Sequence, residues 1–474
     1  MNTLAALTLT CSLSTLANAQ TLNGFVAVEN PSGILFDNAD INDAVLSDFD
    51  ADGDLDVALL LSALATSPSD PFNDTSYWIR FFSNDGTGVF TAVNEVMLRD
   101  GDGLRFVLRA GDLNHDGLPD LVTSSRRYSS SGPSDDKLIV IRNLGGFGFL
   151  LPLYYNSPGA YHDIEIHDMD GDGNSDILAA SAFDQVNYHK GNGSGTIFSL
   201  FDTIETGNGS TTGDGPNEIE IADFNLDGRP DIACSNFNSR DLSLLYQRSN
   251  GLFWDSVLTT INAHGLTSPR KLIASDINQD GETDLLLGHN GDIRTFLNDY
   301  DGGSESFPNF NDSAGTIPGT PSADDIVLAR IDCTNDTVEE LVSGNARVRV
   351  FGGLGGGGFS PSPLYTSPEI TLLEGIARVL VGDVDLDGDI DILHADRIGN
   401  LFGGGDIVLL RNRCQELPCP ADFSDDRMLT FFDVSQFLQA YNAGDPSADL
   451  NGDDIINFFD VSAFLTSYNK GCPD

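Results

Sequence analysis

The stretch DFDADGDLD, residues 48–56, places five aspartates in nine residues and runs directly into the apolar segment VALLL. Two carboxylates about 5 Å apart repel each other by ~3 kcal/mol at an effective dielectric near 20. Such a stretch is stable beside a core strand only if something compensates its charge. A bound divalent cation would do so, because it converts the mutual repulsion into attraction.

The same pattern recurs along the chain. Five further copies are DLNHDGLPD at Asp112, DMDGDGNSD at Asp168, DFNLDGRPD at Asp223, DINQDGETD at Asp276 and DVDLDGDID at Asp383. A degenerate copy, DCTNDTVEE, begins at Asp332. Successive copies start 51 to 64 residues apart. A period of about 55 residues is typical of supersecondary units that are stacked or arranged radially.

The charge balance also indicates cations. The 474 residues include 24 Lys plus Arg and 72 Asp plus Glu, which gives a net charge of −48. Half of the acidic residues lie in the seven loops and in two C-terminal loops described below. This concentration favours bound metal over a diffuse acidic surface. The negative field makes nucleic acid and anionic membranes poor partners.

The N-terminal segment predicts export. Residues 1–19 contain an apolar stretch, no charged side chain and an Ala-Asn-Ala ending, which is the pattern of a cleaved signal peptide. A lipoprotein signal centred on Cys11 is the alternative. No later apolar run reaches the ~18 residues that a transmembrane helix needs. We therefore expect a protein that is secreted, extracellular or associated with the cell surface.

The segments around the loops predict short strands. Each loop lies between two apolar or alternating runs, a third run follows, and a Gly-rich turn with an aromatic residue opens a fourth, as in NDGTGVF. Four strands repeated seven times predict an all-β fold, a seven-bladed β-propeller over residues 20–413. Unit seven lacks a fourth strand, so we expect GFVAV at 24–28 to complete it. Cys234 is expected in the core.

The loop pattern, D-x-[DN]-x-D-G-x-x-D, is typical of a calcium site. It offers side-chain oxygens at positions one, three, five and nine, and its glycine permits the sharp turn. Calcium tolerates six to eight oxygens in irregular geometry, whereas magnesium requires a tight octahedron. An EF-hand would need an acidic residue at position twelve that begins a helix. The residues at that position are apolar or neutral and lie in strand-like runs: Leu59, Thr123, Ala179, Cys234, Leu287 and His394.

These units resemble FG-GAP/VCBS repeats, the units of integrin α-type propellers. The resemblance implies six calcium sites with these ligands: Asp48, Asp50, Asp52 and Asp56; Asp112, Asn114, Asp116 and Asp120; Asp168, Asp170, Asp172 and Asp176; Asp223, Asn225, Asp227 and Asp231; Asp276, Asn278, Asp280 and Asp284; Asp383, Asp385, Asp387 and Asp391. In the copy at Asp332, Thr334 and Thr337 replace a ligand and the glycine, so its calcium stays an open question.

A second, smaller module follows a linker at 414–418. Residues 419–474 contain two copies of one motif, offset by 27 residues, in which the twelve-residue spacing is acidic. A helix is expected after each loop, the first with Val434, Phe437, Leu438 and Tyr441 on one face. So small a module buries little core, and a bridge between Cys419 and Cys472 is the favoured disulfide.

This module resembles a dockerin, a tandem calcium-loop module. The resemblance implies up to two further calcium sites, with the ligands Asp422, Ser424, Asp426 and Asp433 in the first loop and Asp449, Asn451, Asp453, Asn457 and Asp460 in the second. It also implies a cohesin-like or surface-sorting receptor as partner, and a bacterial host.

Two functions follow from these features. The first is a calcium-binding propeller that binds protein or glycan at the cell surface or in an extracellular assembly, anchored through its dockerin-like tail. The alternative is a polysaccharide-active enzyme, a lyase or hydrolase. A lyase needs a base close to calcium, and the 24 Lys and Arg form no such cluster in the sequence. Since nucleophile and zinc signatures are also absent, no catalytic residue is assigned. His162 and His167 are interpreted as surface residues.

Overall fold

The computed structural model describes residues 26–29, 39–64, 75–98, 107–125, 136–181, 184–206, 215–248, 259–261, 269–289, 292–300, 310–311, 316–318, 325–331, 337–344, 347–367, 378–396, 406–412, 421, 423, 431–450 and 455–470. Several predictions fall outside these residues: the signal peptide at 1–19, the linker at 414–418, the Cys419–Cys472 bridge, and the predicted ligands Asp422, Ser424, Asp426, Asn451 and Asp453.

Seven separate sheets form a propeller, as the sequence predicted. Each sheet has four or five strands that follow one another as antiparallel neighbours. The first strands of adjacent blades contact each other around the full circuit, so they lie innermost. Every regular element described before residue 413 is a strand.

The strands occupy equivalent places in successive blades. The first strands are Asp40–Ser47, Leu108–Gly111, Tyr161–His167, Pro216–Ala222, Pro269–Ser275, Asp325–Ala329 and Arg378–Gly382. The second strands are Asp56–Leu64, Asp120–Ser125, Asp176–Ser181, Asp231–Asn236, Asp284–His289, Glu340–Gly344 and Asp391–Asp396. The third strands are Thr75–Asn84, Lys137–Ile141, Gln185–Gly191, Asp241–Leu245, Asp292–Asn298, Val348–Phe351 and Asp406–Arg411. The outer strands of blades one to six are Phe90–Met97, Leu153–Asn156, Phe198–Glu205, Thr259–Ile261, the pair Phe310–Asn311 and Thr316–Pro318, and Tyr365–Thr366.

The seventh blade takes its outer strand from the N-terminal part of the chain. Val26–Glu29 lies antiparallel to the third strand of blade seven, with Val26 opposite Arg411 and Val28 opposite Leu409. The predicted closure of the ring by this segment is confirmed.

The core lies between neighbouring sheets. Phe49 and Phe81 of blade one pack with Leu121 and Ile141 of blade two, all of them buried. Phe81 also stacks on Phe149, with ring centroids 4.1 Å apart. Alternate residues of the buried second strands face the blade before and the blade after, so apolar side chains are needed on both faces of each sheet. Cys234 lies in such a strand as a buried free thiol, as predicted.

The C-terminal residues form two helices joined through a small core. Helix α1 spans Phe431–Ala443, a 3₁₀ turn spans Pro446–Ala448, and α2 spans Phe458–Lys470. Phe437 and Phe464 stack with centroids 4.2 Å apart. Leu438, expected on the core face, is 45% exposed. The buried face is centred on Phe437, and a helix turns by about 100° per residue, so Leu438 points away from that face. Neither helix has the length and apolar character needed to cross a bilayer.

Candidate metal centres

Each aspartate loop is the hairpin between the first and second strands of a blade. Position nine opens the second strand and pairs with the residue that precedes position one, as Asp56 does with Ser47 and Asp120 with Gly111. Eight residues are thereby held between two fixed strand ends. The loops are hairpins, as predicted, and not helix-opening EF-hand loops.

The position-one carboxylate organises each loop. Its Oδ2 accepts a hydrogen bond of 2.7–3.0 Å from the N–H of the position-six glycine in all six loops. Its Oδ1 accepts one of 2.9–3.3 Å from the N–H of position five. Both oxygens keep further lone pairs, because each carboxylate oxygen can accept more than one bond.

The backbone at position four is in the left-handed region. In five loops a non-glycine residue has φ between 54° and 67° there: Ala51, His115, Leu226, Gln279 and Leu386. This conformation costs energy for residues with a Cβ and persists only where the surroundings impose it. No residue type at position four signals this, so the sequence could not predict it.

The position-nine aspartates are fully buried, and each one connects its own loop to the third strand of the same blade. In Asp56, Oδ1 accepts from the N–H of Asn84 at the end of the third strand, at 2.9 Å, and Oδ2 accepts from the N–H of Phe49 at position two, also at 2.9 Å. The equivalent bond to the third strand is 2.7–2.8 Å in the other five loops. The sequence predicted metal ligands here and missed this role in holding three strands together.

Burial raises the pKa of most position-nine carboxyls. The pKa is raised to about 6 in Asp56, Asp120 and Asp284, and to about 7 in Asp231 and Asp391. Removal from water is the largest cause, and backbone hydrogen bonds oppose it only in part. A carboxylate held in this way is stabilised by a nearby cation.

Oxygens of positions one, three and nine converge. In the loops that begin at Asp48, Asp168 and Asp383, each of these three carboxylates offers an oxygen within 4.8 Å of the others. Oδ1 of Asp50 and Oδ1 of Asp385, both at position three, are buried and accept no hydrogen bond from the residues described. Burying an unpaired anionic oxygen is costly, so a metal ion fits this arrangement. The other three loops have asparagine at position three and would offer an amide oxygen.

The position-five carboxylates are hydrogen-bonded within their own loops. Its carboxylate accepts a hydrogen bond of 2.9–3.2 Å from the N–H of position seven in all six loops. It also pairs with a base in three of them, as with Arg142 and Asp116 at 3.3 Å, Lys190 and Asp172 at 3.0 Å, and Arg229 and Asp227. The position-five ligands predicted from the sequence are therefore partly engaged by other groups.

In the degenerate copy at Asp332, Glu340 takes the position-nine place that the sequence predicted. Ala329 ends the first strand and pairs with Glu340, as Ser47 does with Asp56. Arg330 therefore lies where the other blades have the position-one aspartate. The N–H of Ile331 donates to Glu340 Oε2 at 2.9 Å, the bond that position two makes elsewhere. The loop is two residues longer than the others, and repeat spacing alone could not locate that insertion.

The second C-terminal loop uses a similar closing bond. Asp433 and Asp460 are fully buried in the first turns of α1 and α2. Asp460 accepts from the N–H of Leu450 at 3.1 Å, which ties the end of the loop to its start. The predicted ligand Asn457 also caps α2, since its Oδ1 accepts from the N–H of Phe459 at 2.8 Å. Asp449, at the start of the loop, is half-buried.

Charged side chains also gather around the axis of the ring, on the first strands. We call them the axial charge cluster; they are Asp43, Arg109, Asp163, Glu165, Glu218, Glu220, Lys271, Asp325 and Arg378. They link neighbouring blades. Asp43 Oδ2, for example, accepts from the N–H of Leu108 in the next blade at 2.7 Å, and Lys271 Nζ lies 2.8 Å from Glu218 Oε2. The sequence could not predict this cluster, because its members come from the first strands of all seven blades.

Glu165 and Glu220 make this cluster sensitive to pH. Burial, with repulsion from neighbouring carboxylates, raises the pKa of Glu165 to about 7 and that of Glu220 to about 8, although Arg109 and Lys271 oppose the shift. A carboxyl whose pKa is higher in the folded state than in the unfolded chain binds more protons when folded. The contribution of these two carboxyls to stability should therefore fall as pH rises from about 4.5 to about 8.

The double variant Glu165→Gln/Glu220→Gln tests this prediction. At saturating calcium we expect its melting temperature to exceed that of the unsubstituted protein by several degrees at pH 8.5 and to match it at pH 4.5. Glu205→Gln, an exposed acid on an outer strand, should change neither value. Equal melting of the double variant and the unsubstituted protein at both pH values would contradict the prediction.

The fold and its loops define a seven-bladed propeller that contains FG-GAP-like repeats. The FG-GAP-like repeat model matches residues 48–123, 168–234 and 223–287. No curated protein matches the chain by sequence. Among solved structures, the BP39L lectin from Burkholderia pseudomallei has a TM-score of 0.50 at 14% identity, over 76% of this chain and 93% of the lectin. BBS1N, solved in complex with ARL6DN, has a TM-score of 0.49 at 11% identity, over 82% and 98%. A lectin from Agrocybe aegerita has 0.44 at 18% identity, over 70% and 81%. At 14% identity the similarity to the BP39L lectin concerns the fold alone.

Proposed function

We propose that the protein is a secreted, calcium-binding propeller that binds protein or glycan, and that it is anchored through its C-terminal module. The observation that carries the proposal is the convergence of carboxylate oxygens from positions one, three and nine on one point of the loop. In this proposal calcium is held at six such loops. The calcium ions neutralise the charge of the loops and hold the loops in one conformation on their face of the ring.

The basic side chains near the loops favour a binding protein over a polysaccharide lyase, because they are paired with carboxylates. Arg142, Lys190, Arg229 and Arg411 each lie beside a carboxylate at position three or five. A lyase base must be free to accept a proton from its substrate, and a cation paired with a carboxylate is a poor base. His189, a further candidate, is buried and hydrogen-bonded to the hydroxyl of Tyr161 at 2.7 Å. Polysaccharide cleavage remains the alternative.

A glycan array with turnover assayed in parallel tests this proposal. Calcium-loaded protein should retain one class of glycan or a protein ligand saturably, with no release of reducing ends or unsaturated uronides. Product release that depends on the protein and grows with time would establish the enzymatic alternative instead.

The C-terminal helices support a docking role. Phe431 on α1 and Phe458 on α2 are 77% and 73% exposed, although both are large and apolar. Leu438 and Leu465 follow seven residues later, on the same side of each helix, and are exposed as well. The repeat thus presents the same apolar pair twice. An exposed apolar surface of this kind is typical of a protein interaction site. The occupant that we propose is a cohesin-like or surface-sorting receptor with an apolar groove.

The double variant Phe431→Ser/Phe458→Ser tests the docking role. It should abolish retention on the cell surface as completely as deletion of residues 419–474, because both copies of the surface lose their largest side chain. The helices should persist by circular dichroism, since Phe437 and Phe464 are untouched. Gln436→Ala, on an exposed polar position of α1, is the matched control. Undiminished retention of the double variant would exclude this surface.

A further inference from the structure

Most junctions between blades share one connection, which we call the amide clamp. At the end of the third strand, the side-chain amide of Asn84, Asn143, Gln247, Asn298 or Asn412 donates to a loop carbonyl of the preceding blade at 2.6–3.0 Å. The clamp draws the loop of one blade against the next. It occurs in blades one, two, four, five and seven.

Blade six lacks the clamp and cannot hold it. The equivalent residue is Gly353, which pairs with Phe359 as Asn143 pairs with Phe149 in blade two. A Cβ on Gly353 would lie 2.3 Å from Cγ1 of Val338 and 2.4 Å from the carbonyl oxygen of Glu339. Blade three also has a glycine there, but Ser175 donates to the carbonyl of Asp112 in blade two at 2.9 Å. The junction of blades five and six is therefore built differently from the others.

A cleft of about 270 Å³ lies at this junction, and Gly353 is part of its wall. Its polar lining includes Gln279 of blade five and Arg330, Thr337 and Glu339 of blade six. Two of these side chains are fixed across the junction. Thr337 donates to Gln279 Oε1 at 3.0 Å, and Glu339 Oε2 accepts from Ser275 at 3.2 Å. The cleft is thus bounded by groups that are already held in place, which lowers the entropy lost on binding.

Arg330 gives the cleft its particular chemistry. It lies where the other loops have the position-one aspartate, so this loop presents a cation in place of a metal ligand. Its side chain is exposed, and none of the residues described forms a salt bridge with it. A guanidinium beside a carboxylate, an amide and a hydroxyl can donate to and accept from adjacent hydroxyl groups at once. Phe359 supplies an apolar wall for C–H groups.

We propose that this cleft binds one neutral sugar unit of a glycan. The proposal rests on the proposed binding function and names the ligand class and its site. The volume lies below the ~300–1,000 Å³ of pockets that enclose drug-sized ligands, and it suits a single ring. Charges of both signs line the cleft, so it does not select for a charged sugar. An acidic peptide or a uronate would meet the carboxylate of Glu339 as a repulsive neighbour.

Titration calorimetry with neutral hexoses, N-acetylhexosamines and uronates tests the proposal on the calcium-loaded full chain. A neutral sugar should bind with a Kd in the millimolar range. Arg330→Ala and the conservative Glu339→Gln should each weaken it at least tenfold, without a change in melting temperature. Arg142→Ala, an arginine beside the loop of blade two, should leave the affinity unchanged.

The outcomes separate this inference from the broader function. Binding of neutral sugar that survives both cleft variants would overturn the site but leave a glycan-binding propeller. Preference for uronates would overturn the ligand class. If the array finds only a protein ligand, or none, and no sugar binds in calorimetry, the inference fails.

Discussion

Chelation of calcium with EGTA should lower the melting temperature of the propeller by at least about 10 °C at neutral pH and low ionic strength. A ligand that binds the folded state alone adds ~2.7 kcal/mol per site at a hundredfold excess over Kd. Six such sites would together exceed the ~5–15 kcal/mol of net stability that is typical of folded proteins. Magnesium should restore little of the loss, because the loops offer an irregular oxygen set.

Single variants locate the effect within one loop. Asp50→Asn should reduce calcium binding at blade one more than Asp52→Asn. Oδ1 of Asp50 is buried without a hydrogen bond, whereas Oδ1 of Asp52 accepts from the N–H of Asp54. Asp85→Asn, an exposed residue of the Gly-rich turn, is the control. If EGTA leaves melting unchanged and elemental analysis finds no bound calcium, the metal centres are refuted.

The pH dependence should change direction with calcium. Without the ion, position-nine carboxyls such as Asp56, with a pKa of about 6, and Asp391, at about 7, are charged only at a cost. Stability in EGTA should then fall as pH rises from about 4 to about 7. With calcium the ionised form is favoured, so stability should rise over the same interval. Melting curves at three pH values in each condition measure both slopes.

Deletion of residues 20–30 should be equally disruptive. Without Val26–Glu29, the third strand of blade seven becomes an open edge with unpaired backbone groups. We expect the protein to lose its monomeric state in size-exclusion chromatography and to aggregate on warming. Deletion of residues 20–24, which stops short of the strand, is the control. If the longer deletion stays monomeric and melts as the intact protein does, the closing strand is dispensable.

Much of this architecture could be predicted from the sequence, because a strand or loop recognised in one repeat predicts the equivalent strand or loop in the others. The nine-residue loops, their flanking strands and the closing segment all follow from position in the repeat. The two-residue insertion at Arg330 shows where that reasoning stops. An aspartate pattern locates a loop by its ligands, and when the ligands are lost only the pairing of Ala329 with Glu340 fixes the register.

Interactions between blades could not be predicted for a different reason. The amide clamp joins Asn84 to Val384, and the axial charge cluster brings Asp43 within 2.7 Å of Arg378. These contacts depend on ring closure and on the rotation of one blade against the next. An asparagine at a strand end and a charged residue in an inner strand have no local pattern that distinguishes them from solvent-exposed residues.

The pairing of Val26–Glu29 with Asp406–Arg411 also sets an order of events during folding. Chain synthesis makes the N-terminal strand first and its partner almost last, so this pairing must wait for nearly the whole chain. Closing so long a loop costs ~3 kcal/mol more entropy than closing a short hairpin. The seam of blade seven should therefore form last and open first, and backbone amide exchange should be fastest there among the blades. The protein would remain an unclosed arc until its final blade is made. The unpaired strand edge at this seam would be exposed for longest, and a chaperone that recognises such edges would bind there.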